Sequence, residues 1–154
     1  MSDLFSKIFR YLPSEKFPPL EIFLTEIFSY LLKKLCKFRE KFFDLAGIEV
    51  IEFESINEDS IQTQFPSQGS RFDILISNDN LEIIIENKVD SAFGQDQLKK
   101  YREYLSAFDK KFTAILTITK SIEDKELDYA DTSITWYELY EKLLDDRVIN
   151  RKSK

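Results

Sequence analysis

Three consecutive isoleucines followed at once by charge, in Leu81-Glu82-Ile83-Ile84-Ile85-Glu86-Asn87-Lys88-Val89, constrain this chain more than any other stretch. A β-branched run of this kind favours a strand covered on both faces. Charge in such a place is costly unless it has a purpose. Arg71 to Ser77 (RFDILIS) precedes it across the turn-forming Asn78-Asp79-Asn80, so the two segments predict a β-hairpin. Strand alternation puts Glu86 and Lys88 on one face, and Ile83, Ile85, Asn87 and Val89 on the other. That turn is expected to place Ile76 opposite Leu81 and Asp73 opposite Ile84. Asp73 then shares the face of Glu86 and Lys88, with Glu86 as its diagonal neighbour.

The remaining periodicities surround this hairpin with helices and further strands. Leu24, Ile27, Phe28, Leu31, Leu32 and Leu35 recur at helical spacing within one long helix from about Leu20 to Leu45. Pro19 suits its first turn and Gly47 its end. Ile48–Phe53 and Ile61–Phe65 read as strands. Gln95–Phe108 reads as a helix with Leu98, Tyr101, Leu105 and Phe108 inward. Phe112–Thr119 reads as a strand apolar on both faces, followed by a strand at Ser133–Trp136 and a helix at Tyr137–Leu144. That order predicts an α/β fold, a sandwich with a central mixed sheet flanked by helices. Its 154 residues suit one domain spanning 1–154.

Composition excludes several chemistries. With no histidine, His-based zinc sites and Ser-His or Cys-His triads are out of reach. Cys36 is single, so no intrachain disulfide forms, and its helical surroundings predict a buried small hydrophobe. No apolar run is long enough to span a membrane. Asp3, Lys7 and Arg10 interrupt the first apolar residues, so the start is no signal peptide and a cytoplasmic protein is expected. The net charge of −6 weighs mildly against nucleic-acid binding. Positive charge is clustered, however, at Lys33, Lys34, Lys37, Arg39 and Lys41, and at Lys99, Lys100, Arg102, Lys110 and Lys111. The first run is open to two readings, a wet helix face or contacts to DNA phosphates.

Two carboxylates and a lysine on one apolar patch suggest a specific chemistry. Asp73 and Glu86 can share a Mg²⁺, which takes hard oxygen ligands and keeps several waters. Such a metal acidifies water for attack on a phosphodiester, and a lysine can orient that water or neutralise developing charge. The competing reading is a hairpin salt bridge between Lys88 and Asp73 or Glu86.

Asp73, the Glu86-Asn87-Lys88 tripeptide ending an isoleucine-rich strand, and Gln97-Leu98-Lys99-Lys100-Tyr101 together resemble the PD-(D/E)xK nuclease superfamily, from about Leu20 to Thr119. The resemblance implies a restriction-endonuclease-like three-layer sandwich and a Mg-dependent endonuclease acting on DNA, with Mn²⁺ able to substitute. It implies that Asp73, Glu86 and the Asn87 carbonyl are metal ligands. Lys88 would be the catalytic lysine, and Gln97 would approach the phosphate or the lysine. Tyr101 could support Gln97 or serve simply as a core aromatic. Phe72 stands where the family name has Pro. Pro19-Leu20-Glu21-Ile22-Phe23-Leu24-Thr25-Glu26 resembles the opening helix of bacterial domains of this type, making Glu26 the candidate helix acid with Glu21 in reserve. On a helical wheel, though, Glu26 falls opposite the apolar stripe and reads equally as solvated. Such domains often sit in anti-phage defence proteins, so an attached sensor domain or a homo-oligomer is expected, with this chain as the N-terminal module of something longer. RNA is an alternative substrate, and a catalytically inactive assembly or nucleic-acid-binding module an alternative function.

Overall fold

The computed structural model describes residues 19–49, 56–67, 69–89, 91–121 and 125–151. Helices α1 (Pro19–Lys34) and α2 (Cys36–Leu45) come first, then strands β1 (Ile61–Ser67), β2 (Ser70–Ser77) and β3 (Leu81–Asn87). Helix α3 (Gln97–Ser106), strands β4 (Phe112–Thr119) and β5 (Thr132–Thr135), and helix α4 (Trp136–Arg151) complete the order. The sheet runs β1-β2-β3-β4-β5, antiparallel through β3 and parallel from β3 to β5.

The central strands bury both faces, and two separate cores result. Ile74, Ile76, Ile83, Ile85, Leu116 and Ile118 pack with Phe28 and Leu32 of α1, Phe42 and Phe43 of α2, and Leu139 of α4. Leu75, Ile84 and Ile115 pack on the opposite face with Leu98, Tyr101 and Leu105 of α3. The result is the expected α/β sandwich of three layers. β3 is buried at every position, as its isoleucines require, and β4 is buried from Ala114 to Thr119.

Several expectations are corrected. The long first helix is two helices, broken where Leu35 takes an extended conformation (φ −118°, ψ 96°). The buried Arg39 guanidinium donates to the Leu32 carbonyl at 2.9 Å, satisfying an acceptor at the break. The break allows Phe28 to meet Phe38 and Phe42 edge-on, with ring centroids 5.4 and 4.9 Å apart. It leaves Leu35 50 % exposed and Cys36 exposed, so neither is the core residue the periodicity predicted. The buried residues of α1 are Glu21, Thr25, Glu26, Phe28, Ser29 and Leu32, so Phe28 and Leu32 of the expected stripe are buried while Leu24, Ile27 and Leu31 are only partly so. Arg39 also leaves the basic run, being buried, while Lys34 pairs with Glu58 at 2.6 Å.

Gly47 does end α2. At φ +66° it accepts the left-handed turn in which its N–H reaches Asp44 O and that of Ile48 reaches Phe43 O. Phe108 falls just past α3 and is 39 % exposed, not inward. β5 and α4 meet one residue earlier than expected, Trp136 opening the helix. Of the strand expected at Ile48–Phe53, residues 50–53 lie outside the described residues, and Ile48 and Glu49 are irregular. The basic residues Lys152 and Lys154 lie outside them too. No described helix is long and apolar enough to cross a membrane.

Candidate active site

The hairpin turn sets the register of the site. Asn78 Oδ1 accepts from the N–H groups of Asn80 and Leu81, and the Asn78 N–H donates to Leu81 O, so the turn is centred between Asp79 and Asn80. Ile76 therefore pairs with Ile83 and Leu75 with Ile84, a shift of two residues from the register expected. An even shift keeps every side chain on its face. Continued, it brings Asp73 level with Glu86 instead of diagonal to it.

The ladder between β2 and β3 ends at Ile74↔Ile85, and beyond it the Asp73 side chain takes over. Its Oδ2 accepts the Asn87 N–H at 2.9 Å. Glu86 is 2 % exposed and fully engaged. Its Oε1 lies 3.0 Å from Lys88 Nζ and accepts from Gln97 Nε2 at 2.7 Å, while its Oε2 accepts from the Tyr101 hydroxyl at 2.8 Å. Gln97 also donates to the Tyr101 oxygen at 2.7 Å, and its own Oε1 takes the Gly94 N–H. The expected Gln97 thus joins the site through Glu86. Tyr101 is both core aromatic and site residue, its ring buried against Phe72 and its hydroxyl on the carboxylate. The expected salt bridge exists as well, between Glu86 near the end of β3 and Lys88 just past it.

The helix acid at the site is Glu21. Its Oε1 accepts the N–H groups of Val89 at 2.8 Å and Ser91 at 3.0 Å, and the Ser91 hydroxyl bonds both carboxylate oxygens. Glu26, expected either at the site or in solvent, is only 4 % exposed, which corrects the solvated reading. Glu21, in contrast, is felt by both Asp73 and Lys88. The signal for Glu21 was present in the spacing Glu21-Thr25-Ser29, a polar ridge along the face that Phe28 and Leu32 bury.

Asn87 works from the opposite face of β3 and was undervalued by alternation alone. Its Nδ2 donates to Glu21 O at 3.1 Å and Thr25 Oγ1 at 3.2 Å, and its Oδ1 accepts from Trp136 Nε1 at 3.0 Å. One side chain therefore ties the end of β3 to both α1 and α4.

The electrostatics are those of crowded, poorly hydrated acids. Burial and then the neighbouring Glu86 push the Asp73 carboxyl up to about 7. Burial likewise raises Glu86, against the opposing pull of Lys88 and Tyr101. Burial would lower the Lys88 ammonium, but Glu86 and Asp73 outweigh it and hold it above its ordinary value. Burial would also raise Glu21, yet the donors of Val89 and Ser91 hold it below the usual carboxylate range. Three carboxylates thus share one ammonium, an excess of negative charge that suits a divalent cation. Among the described residues no three His, Cys, Asp or Glu side chains cluster tightly enough to hold a metal by themselves. Asp73 and Glu86 offer hard oxygen donors, the chemistry that divalent cations of this kind take.

The family model of the PD-(D/E)XK nuclease superfamily matches residues 21–141. No curated protein and no solved structure matches the chain. The matched span runs from the Glu21 that braces the Lys88 loop into α4, and so takes in the whole site: the chain belongs to the PD-(D/E)XK nuclease superfamily.

Proposed function

We propose that this chain is a Mg²⁺-dependent nuclease that hydrolyses DNA phosphodiester bonds. The observation that carries this reading is the meeting of Asp73, Glu86 and Lys88 on one face, each held by a different neighbour. Asp73, Glu86 and the Asn87 carbonyl are the ligands proposed for the metal, with Mn²⁺ able to substitute. When bound, the metal supplies a lowered pKa for water and positive charge beside the phosphate.

The chain's own residues do the rest. Lys88 carries its proton at Nζ and offers the charge-stabilising contact to the phosphate as negative charge builds on it. Gln97 and Tyr101 act through Glu86, fixing both of its oxygens. The Asp73 bond to the Asn87 N–H fixes the strand end from which the carbonyl and Lys88 project. Glu21 holds the loop that follows.

The test is cleavage of supercoiled, linear and single-stranded DNA, and of RNA, with Mg²⁺ or EDTA. Cutting that persists in EDTA refutes the reading. A fold serving only for assembly would show no cutting and no Mg²⁺ binding by calorimetry. An effector role in anti-phage defence, in the cytoplasm and with a sensor domain or further copies of the chain, is proposed from the opening helix. Plaque counts on cells carrying wild type or Lys88→Ala test it.

A further inference from the structure

Gln64 combines two irregularities at the position facing Asp73. The β1–β2 ladder pairs Thr63 with Ile74 and Phe65 with Phe72, which leaves Gln64 and Asp73 level with each other between those pairs. Gln64 has φ +53°, a left-handed backbone that residues with a Cβ seldom adopt. Both polar atoms of its amide are buried without a hydrogen-bond partner. Unpaired buried amides are rare because water is lost and nothing replaces it. Backbone strain of this kind tends to collect where ligands are bound.

The strands change face at this level. Residues two apart on a regular strand share a face, yet Ile74 and Ile76 lie in the α1–α2 core while Phe72 lies in the α3 core. On β1, Ile61 lies in the first core and Phe65 packs on the second. The left-handed turn at Gln64 sits at that crossover, level with Asp73 in the middle of β2.

We propose that Gln64 is a substrate-positioning residue whose amide, buried and unpaired in the free fold, turns outward when a nucleic-acid strand binds and takes one of its phosphates, Nε2 donating to a phosphate oxygen and Oε1 accepting from a water on it. The inference rests on the nuclease reading above.

The experiment measures anisotropy of a fluorescently labelled oligonucleotide, single-stranded and duplex, with Ca²⁺ replacing Mg²⁺. Thermal melting and cleavage kinetics run alongside, on wild type, Gln64→Met and Gln64→Asn. Methionine keeps the length and removes the unpaired polar atoms. Its melting point should match or exceed the wild type's, while affinity falls about tenfold or more, as for a lost bond to a charged group. Asparagine tolerates the backbone but is one methylene short, so it should also fold and bind weakly. The loss should appear in KM more than in kcat. Unchanged affinity and KM in Gln64→Met would overturn the proposal, as would a melting point lowered by about 5 °C or more, which marks an amide serving the fold. Wild type that neither binds nor cuts any nucleic acid would instead refute the nuclease reading itself.

Discussion

Replacing Asp73 with Asn removes a carboxylate that the metal-free fold holds at a disadvantage, so the variant should be more stable than the wild type. In the unfolded chain this carboxyl ionises near 3.8, and in the fold near about 7. Between those values the folded protein holds a proton that the unfolded chain has released. Stability therefore falls as pH rises through that window, and the penalty is complete above it. At roughly 1.4 kcal/mol per pH unit the full penalty is about 4 kcal/mol. Asp73 is partly exposed, and water reaching it reduces this to about 2 kcal/mol. Asparagine retains an oxygen for the Asn87 N–H, so little is lost in exchange. For a chain of this size that gain is roughly 4–8 °C in melting temperature. The assay is thermal melting in EDTA at about pH 8 and about pH 5, where less than half of the gain should survive. Adding Mg²⁺ or Mn²⁺ should then raise the wild-type midpoint and leave Asp73→Asn unmoved. A variant less stable than wild type at the higher pH would refute the account of a crowded, cation-seeking carboxylate pair.

Other perturbations separate chemistry from scaffold. Lys88→Ala should abolish cleavage while circular dichroism and solubility stay native; full activity in this variant would sink the mechanism. Trp136→Phe leaves the buried Asn87 Oδ1 without its donor and should cost about 1–3 kcal/mol in urea unfolding. Glu21→Ala removes the acceptor from three donors of the Val89–Ser91 loop, and should raise amide exchange at Val89 and Ser91 while lowering kcat; unchanged exchange there counts against the bracing role. Gln97→Leu should lower kcat but leave oligonucleotide affinity near wild type, because Gln97 touches Glu86 and not the strand.

Local rules carried much of the molecule. The Ile83–Ile85 run demanded a strand covered on both faces, and alternation alone put Asp73, Glu86 and Lys88 together. An error of two residues in the register left that result intact, since side-chain direction has a period of two. The Gln97–Tyr101 spacing likewise put two polar tips on one side of α3. Tertiary packing decided what periodicity could not. A wheel for α1 weighs Leu, Ile and Phe and so does not single out Glu21 or Thr25. In the fold Glu21 and Thr25 face the end of β3, where Val89, Ser91 and Asn87 present hydrogen-bonding groups that Leu side chains could not satisfy. The break at Leu35 is equally invisible locally, because it is stabilised by a guanidinium seven residues from the carbonyl it reaches and by aromatic contacts between separate helices. The isoleucine run and its charged end thus announced the site, while the acid that braces it, the side chain that ties it to two helices, and the strained Gln64 beside Asp73 were set by contacts between segments far apart in the chain.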